Sequence, residues 1–398
     1  MEAYILEWLN LLGRWVHMIT GIAWIGASFY FVWLDNHLLP PKDAEDTHRG
    51  VGGEVWSVHG GGFYHAQKYV VAPQTLPETL NWFKWEAYTT WITGMFMLIL
   101  MYWYGAEIYL IDRQVADIGK PVAIAIGGAS LVVGWLVYDW LCKSRIGRNE
   151  RQMAVVMLVL LTIAAWGLCQ LFSGRGAYMH FGSMLGTIMV ANVFFVIIPG
   201  QRDLVAAKRE NRTPDPIHGI NGKQRSVHNT YFTLPVLLVM VSNHYAFTWS
   251  HPLNWLILIV LSVAGALIRV YFVARHKGNA SPITLIIAFL LLAAVAAALA
   301  PRQSGVAARA GQANTLATID LLPVIQSRCA GCHALQPTQP GFASAPQGIV
   351  LQNTVDLETH AAAIHQQVVV TRAMPIGNLS GMTEDERLLV ADWYQSRR

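Results

Sequence analysis

Charged residues are scarce in this sequence. Only 13% of its 398 residues are Asp, Glu, Lys or Arg, whereas 54% are hydrophobic and 15 are tryptophan. Soluble proteins carry roughly 25% charged residues, so this composition excludes an ordinary soluble enzyme. The apolar residues also form long runs, as they do when lipid surrounds the helices. We therefore expect a multi-span protein in contact with membrane lipid.

The chain is also poor in cysteine and lacks the glycine motifs of nucleotide sites. Of its 4 cysteines, Cys142 and Cys169 lie at the end of or within apolar runs, where we interpret them as free packing residues without a disulfide. No glycine-rich fingerprint follows a predicted strand, which excludes a flavin or nicotinamide fold of that kind. The loops between apolar runs account for the net charge of +4, so we predict no nucleic-acid partner.

Eight apolar runs approach the roughly 20 residues that cross a bilayer core. The first run is too long for a signal peptide and lacks a basic start, so we expect it to remain as a helix. The predicted fold is all-α: an eight-helix transmembrane bundle over residues 1–300, followed by a small α-helical domain. The predicted spans are residues 6–34, 87–111, 121–141, 153–172, 181–199, 230–247, 253–273 and 282–299.

Basic residues predict which side of the membrane each loop faces. Lys and Arg accumulate in the loops after the third, fifth and seventh spans, and such loops are retained in the cytoplasm. The alternate loops hold few basic residues, so both chain ends are expected outside. We predict a multi-pass protein of a bacterial inner membrane with a periplasmic C-terminal domain. The basic loop residues are Lys143, Arg145, Arg148, Arg151, Arg202, Lys208, Arg209, Arg212, Lys223, Arg225, Arg275 and Lys277.

The composition changes after the last span. Residues 301–315 are rich in Gln, Ala, Gly and Ser, which is typical of a linker. Residues 316–398 are expected to form a separate domain, and they contain Cys329-Ala-Gly-Cys332-His333. This C-x-x-C-H pattern predicts one covalent haem c, with thioether bonds from both cysteines and His333 as the proximal iron ligand. A redox or zinc C-x-x-C motif is the alternative, but it does not require the histidine.

A cytochrome c domain also needs a sixth iron ligand. Met374, followed by a proline, is the predicted ligand, because the domain resembles small c-type cytochromes that place a Met-Pro pair roughly forty residues after the haem histidine. The closing helix is predicted to begin with Thr383 as its N-cap and Glu386 in the capping-box position. The competing ligands are Met382, His360 and His365.

Polar residues inside apolar runs are candidates for function because they are costly in lipid. His17 lies in the first run, and Asn192 lies in the fifth. His228, Asn229 and Tyr231 stand at the start of the sixth, where a helix N-terminus suits an anion. A satisfied core histidine or a helix cap is the structural alternative for each position.

The cytoplasmic loop of residues 35–85 is too long to be a simple connection. It contains Glu54, His59 and His65, with three consecutive glycines between the two histidines. Glycines allow the backbone to approach a ligand closely or to fold a re-entrant turn. The spacing matches no standard zinc signature, so zinc is the weaker interpretation.

Three membrane-domain segments, combined with the terminal haem motif, resemble one family over the whole chain. The similarity is to the membrane-bound, cytochrome c-linked urate oxidases (urate hydroxylase, PuuD). The resemblance implies oxidation of urate to 5-hydroxyisourate, with electrons passed to haem c and then to a respiratory acceptor such as a terminal oxidase or soluble cytochrome. The segments are Arg14-Trp-Val-His17, His59-Gly-Gly-Gly-Phe-Tyr-His65 and Val227-His-Asn-Thr-Tyr-Phe-Thr-Leu-Pro235.

Urate is a flat monoanion that needs stacking surfaces, hydrogen bonds and a positive partner. Our hypothesis is that eight polar residues surround urate or a redox group, and that a histidine acts as the base. These residues are His17, Glu54, His59, His65, Asn192, His228, Asn229 and Tyr231.

That site is mostly cytoplasmic, whereas haem c is expected outside, across a hydrocarbon core of about 30 Å. Either urate binds near the outer face, closer to His17, His180 and His244, or pairs of transmembrane histidines hold an additional noncovalent haem b. Two other functions remain open. They are a quinol- or oxidase-associated electron-transfer subunit and a transporter fused to a cytochrome, although the internal duplication of many transporters is not evident.

Overall fold

The computed structural model describes residues 1–276, 278–300 and 317–397, so the predicted linker at 301–315 and Lys277 lie outside the described residues. The described chain is mostly helical. Its α-helices are α1 (Glu2–Asn36), α2 (Ala44–His48), α3 (Trp85–Met97), α4 (Ala106–Tyr109), α5 (Lys120–Lys143), α6 (Glu150–Leu171), α7 (Gly174–Ala191), α8 (Ile198–Arg209), α9 (Pro216–Ser242), α10 (Ala246–Trp249), α11 (Asn254–His276), α12 (Pro282–Ala298), α13 (Thr318–Arg328), α14 (Thr354–Thr359), α15 (Ala361–His365) and α16 (Glu384–Gln395).

Five helical segments in the described chain are long and apolar enough to cross a membrane, which is consistent with membrane association. The other three predicted spans are also helical. Residues 282–299 form α12, a shorter apolar helix, and residues 230–247 begin inside α9. Residues 87–111 are divided between α3, a π-helical segment (Leu98–Tyr104) and α4. The five segments are Tyr4–Asn36, Lys120–Lys143, Glu150–Leu171, Gly174–Arg209 and Asn254–His276.

The core of the bundle is built around α7, which packs against α3, α5, α6 and α9. Small residues let these helices approach closely. A Cβ atom on Gly182 would lie 2.5 Å from the Val239 side chain, and one on Gly127 would lie 2.6 Å from His180. A π-helical segment (Asn192–Ile197) continues α7 towards Pro199, which has no N–H to donate to the helix.

The first helix lies at the edge of the bundle and packs mainly against α3. Their contact is close at Gly13, where a Cβ atom would lie 2.9 Å from the Phe96 ring. Large apolar side chains of α1, among them Leu11, Trp15 and Ile22, are exposed in the protein. Such an apolar surface is suited to lipid.

The long loop corrects the expectation of an all-α chain. It forms an antiparallel hairpin of β1 (Val51–His59) and β2 (Gly62–Tyr69), with His59 paired with Gly62. The glycines make a tight hairpin turn instead of a re-entrant turn. Gly60 and Gly61 both have positive φ, +57° and +82°, as a two-residue turn matching strand twist requires.

The C-terminal residues form their own apolar core between α13, α14, α15 and α16. Leu321, Ile325 and Trp393 are fully buried in this core. The predicted capping box of the last helix is confirmed. The Glu386 N–H donates to the Thr383 hydroxyl at 3.2 Å, and the Thr383 N–H donates to the Glu386 carboxylate at 2.7 Å.

The C-terminal core rests on one end of the bundle, beside α4 and α10. The Ser250 hydroxyl donates to the Thr371 carbonyl. Gly377, with φ +54°, lies so close to α4 that a Cβ atom would be 3.2 Å from the Ile111 carbonyl oxygen and 3.3 Å from that of Ile108. This end is the one that the distribution of basic residues predicts to face outward, and we call it the outer end.

Candidate functional site

The haem-attachment motif continues directly from α13 in a tight turn. The Cys329 carbonyl accepts from the Cys332 N–H at 3.1 Å and from the His333 N–H at 2.9 Å. The His333 Nδ1 donates to the Ile349 carbonyl at 2.9 Å, so Nε2 is left for a metal. Burial raises the pKa of the Cys329 thiol to about 12. These residues fit covalent attachment of haem with His333 as a ligand.

The two candidate methionines occupy different environments. Met382 is 1% exposed within the C-terminal core, and the Asn378 side chain bonds both its N–H and its carbonyl. Met374 is half-buried at the edge of that core, and its carbonyl accepts from Arg387 at 2.8 Å. An iron ligand needs an accessible sulphur, so the geometry favours Met374, which stays a prediction.

Three of the predicted polar residues meet near the opposite, inner end of the bundle. Asn192, fully buried, donates from Nδ2 to the Tyr138 hydroxyl at 3.1 Å and to Asn229 Oδ1 at 2.8 Å. The Tyr138 hydroxyl is hydrogen-bonded to His228 Nδ1 at 2.8 Å. Asn229 Nδ2 donates to the Met189 carbonyl at 3.0 Å. These bonds join α5, α7 and α9.

A buried arginine completes this group, which we call the inner cluster: Tyr138, Asn192, Arg225, His228 and Asn229. Arg225 is 3% exposed and donates to Asn192 Oδ1 at 3.2 Å and to Asp139 Oδ1 at 2.8 Å. Its guanidinium also lies 5.1 Å from the Tyr138 ring centroid. The hydrogen bonds of the cluster are therefore mostly made within the protein itself, as in a network that fixes neighbouring helices.

The hairpin holds a second pair of predicted residues, apart from the inner cluster. His65 Nε2 donates to Glu54 Oε2 at 2.8 Å, and the Trp56 ring stacks on the imidazole at 4.1 Å between centroids. Glu54 is buried and also accepts from the Lys42 N–H at 3.3 Å. His59 stands exposed beside the turn. The hairpin packs on α2.

His17 and Tyr231 occupy two further places. His17 Nδ1 lies 3.0 Å from both the Thr90 carbonyl and the Thr93 hydroxyl, so one of its ring nitrogens is bonded at the contact of α1 with α3. Tyr231 is half-buried on α9, near enough to Arg269 for that charge to act on its hydroxyl. The structure thus divides the eight predicted residues among separate places instead of one pocket.

A cavity of about 410 Å³ opens at the outer end, between the bundle and the C-terminal residues. Pockets of 300 to 1,000 Å³ are typical of small-molecule sites. We call this cavity the outer cleft. Its ionisable lining residues are Asp112, Arg175, His251, Arg372, Glu384 and Arg387, and Tyr109 contributes an aromatic ring.

Arg175 is the bundle's cation in the outer cleft. Its guanidinium lies 5.0 Å from the Tyr109 ring centroid, and its Nε donates to Asn243 Oδ1 at 2.9 Å. The Tyr102 hydroxyl shares that amide oxygen at 3.2 Å. Among the described residues, Arg175 has no carboxylate at ion-pair distance.

The bundle and its hairpin match the family model described as urate oxidase N-terminal, over residues 3–300. The chain belongs to the urate oxidase N-terminal family. This membership supports a urate-related oxidase function and indicates an oxidoreductase with urate as its substrate. A search of curated proteins and a search of solved structures each found no match.

All eight residues predicted to surround urate lie inside the urate oxidase N-terminal region, as do the inner cluster and Arg175. Sequence reasoning missed Tyr138 and counted Arg225 only as a basic loop residue. Asp139 was the available signal, because a carboxylate inside an apolar run needs a partner. Nothing comparable marked the outer cleft, since its lining residues come from segments far apart in the chain.

Proposed function

We propose that this protein is a membrane-bound urate oxidase that passes electrons from urate to haem c in its own C-terminal domain. The family match over residues 3–300 supports urate as the substrate. The same chain continues into Cys329, Cys332 and His333, which supports haem c as the electron acceptor. The contact of the C-terminal core with the bundle supports transfer within one molecule.

The proposed membrane arrangement has eight spans and a C-terminal domain on the periplasmic side of a bacterial inner membrane. The five long apolar segments support it, as do the three helical segments at the remaining predicted spans. The loops that carry most of the basic residues lie at the inner end, opposite the C-terminal core.

In the proposed reaction, the urate monoanion and one water give 5-hydroxyisourate, one proton and two electrons. His333 and Met374 would hold the haem iron, which would supply a one-electron acceptor when bound. The Ile349 carbonyl fixes the His333 ring, and the Arg387 guanidinium fixes the Met374 backbone. The electrons then leave for a respiratory acceptor such as a terminal oxidase or soluble cytochrome.

A second, noncovalent haem b finds no support at His180, a histidine in the middle of the bundle. Its Nδ1 donates to the Gly176 carbonyl at 2.9 Å, and its Nε2 accepts from Trp103 at 3.2 Å. Because both ring nitrogens are engaged, this side chain does not fit an axial ligand. A pyridine haemochrome assay that finds only c-type haem would dispose of the haem b prediction.

The predicted site around the histidines stays a prediction. Replacing His17, His59 and His228 singly with alanine tests it through urate turnover. If all three variants retain wild-type turnover, the hypothesis of a histidine site is wrong, whereas the proposed reaction still stands.

The proposed function is tested by incubating purified protein with urate and ferricyanide while measuring urate loss and identifying the product. We expect 5-hydroxyisourate from urate and no reaction with xanthine. Urate that remains unchanged, while a quinol is oxidised, would instead indicate a quinol-linked electron-transfer subunit.

A further inference from the structure

We infer that urate binds in the outer cleft, with Arg175 as the cation that pairs with the purine anion. This inference rests on the proposed urate oxidase function and adds to it the place where substrate is held. The inference has three requirements. The cleft must have an excess of positive charge, it must offer groups that can bind a flat purine, and it must lie next to the haem motif.

The first requirement is a charge balance inside the cleft. Three arginines and two carboxylates line it, which leaves an excess of one positive charge. Glu384 is occupied by the C-terminal arginines, since its carboxylate lies 2.7 Å from Arg372 and 3.9 Å from Arg387. Arg175 has no carboxylate partner among the described residues. The negative charge of a bound urate monoanion would take that place.

The second requirement is chemistry that suits a purine. A guanidinium donates a planar pair of hydrogen bonds to a delocalised anion, and that of Arg175 is held by its bond from Nε to Asn243 and by the Tyr109 ring, 5.0 Å away. His251 Nδ1 accepts from the Leu253 N–H at 3.0 Å, which leaves the opposite ring nitrogen for a ligand. Gln114 also lines the cleft, and its amide can bond urate carbonyl and N–H groups, whereas the Asn254 amide is already bonded to Trp249 and Trp255.

The third requirement is proximity to the haem motif. Pro375, the residue after Met374, lines the cleft, and so does Arg387, whose guanidinium donates to the Met374 carbonyl at 2.8 Å. Urate bound here would be next to the electron-accepting domain. A site at the inner end would instead be separated from it by much of the bilayer core, about 30 Å thick.

The inner cluster does not meet these requirements equally well. Its arginine is paired with Asp139 and Asn192, and its amide groups are bonded to one another and to Met189. Apart from Arg225 Nε, which has no hydrogen-bond partner, a ligand there would have to replace bonds that already exist, and the Arg225 charge is already paired with Asp139. At the outer cleft, a ligand adds partners to a cation that has no carboxylate partner.

The test is equilibrium binding of radiolabelled urate to protein whose haem has been reduced with dithionite under anaerobic conditions, so that urate is bound but not oxidised. We expect Arg175→Gln to weaken urate binding by about 10- to 100-fold, because a charge-assisted pair is lost. Arg113→Gln is the matched control. Arg113 is exposed close to the cleft but does not line it, so this variant should bind like wild type.

Arg175→Lys keeps the charge and loses the planar fork, so it should show an intermediate loss of about threefold to tenfold. If Arg175→Gln fails to fold, this variant decides the question alone. Wild-type affinity in whichever Arg175 variants fold would overturn the cleft assignment. A wild-type protein that is reduced by urate alongside such variants would leave the proposed function standing. A wild-type protein that neither binds urate nor is reduced by it would refute the function itself.

Discussion

The two arginine-containing polar groups of this protein differ in how their hydrogen bonds are used. In the inner cluster, Arg225 is buried and bonded to Asp139 and Asn192. In the outer cleft, Arg175 borders a cavity of about 410 Å³ and has no carboxylate partner among the described residues. The charge balance, and not the number of free N–H groups, distinguishes them, because Arg225 Nε also has no hydrogen-bond partner. An arginine in a membrane bundle therefore indicates an anion site only where no carboxylate already pairs with it.

The largest expected effect is the loss of folding stability when the arginine of the inner cluster is replaced. Arg225→Met removes the partner of Asp139 inside the bundle and should cost about 3 to 5 kcal/mol, a large fraction of a protein's stability. Asp139 also lies 2.6 Å from Lys143, which places the effect near the lower figure. Thermal unfolding in detergent measures it.

The matched control is the double variant Arg225→Met with Asp139→Leu, which leaves no unpaired charge and should recover much of the loss. If the single variant is as stable as wild type, the inner cluster does not hold the helices together.

A second prediction concerns the two candidate methionine ligands of the C-terminal domain. Met382→Ala should destabilise the C-terminal core by about 2 to 5 kcal/mol, because it leaves a cavity at a site that is 1% exposed. Met374→Ala should lower the reduction potential of the haem and let the reduced iron bind carbon monoxide. Carbon monoxide binding by the Met382 variant in place of the Met374 variant would reverse the ligand assignment.

A third prediction tests the contact that closes the outer cleft. Gly377→Val places a side chain against the Ile108 and Ile111 carbonyls, so we expect the domains to separate and urate-driven haem reduction to slow about tenfold, equivalent to about 1.4 kcal/mol. Stopped-flow absorbance measures the rate.

Gly381→Val is the control for backbone strain. Gly381 has a similar φ of +65°, but a Cβ atom there would come no closer than 3.9 Å to its nearest neighbour, Arg328. Equal slowing in both variants would mean that strain, and not docking, causes the effect.

The smallest expected effect lies with Asp112, whose carboxyl pKa is raised by burial in the outer cleft. Because the folded protein favours the protonated acid, stability should fall as pH rises from the unfolded pKa through the folded pKa. Asp112→Asn should remove this dependence and slightly stabilise the protein at neutral pH. Melting temperatures between pH 3 and 7, roughly the range around a carboxyl pKa, check it. Because Glu358 and Glu386 have lowered pKa values and act in the opposite direction, the difference between wild type and Asp112→Asn is the quantity to compare. A wild type that gains stability relative to this variant as pH rises would contradict the assignment.

Local patterns were predicted more reliably than tertiary arrangements. The capping box at Thr383 and Glu386 depends on residues three apart, and it is confirmed. The hairpin was missed because its two glycines with positive φ were interpreted as part of a re-entrant turn. The signal that could have found it is the alternation of apolar and polar residues that is typical of the strands on both sides of a hairpin turn. Its strands also place Glu54 and His65 together, which sequence spacing left open.

The candidate sites show the same limit more strongly. Asn192, Asn229 and His228 were predicted as a group, and they do meet. The side chains that join them by hydrogen bonds, Tyr138 and Arg225, were not predicted. The outer cleft combines residues between 108 and 387 that lie on separate helices and loops. No periodicity or motif records which chain segments pack together at one end of a bundle, so this cavity could be found only from the structure.

The most direct test of the account is an anaerobic titration of the oxidised protein with urate, followed by the visible bands of its haem. The account predicts that urate reduces the c-type haem without oxygen or added mediator, at two haem equivalents per urate. Xanthine should leave the haem oxidised. Urate consumption with haem that stays oxidised, or haem reduction by quinol alone, would contradict the claim that electrons from urate reach the C-terminal domain.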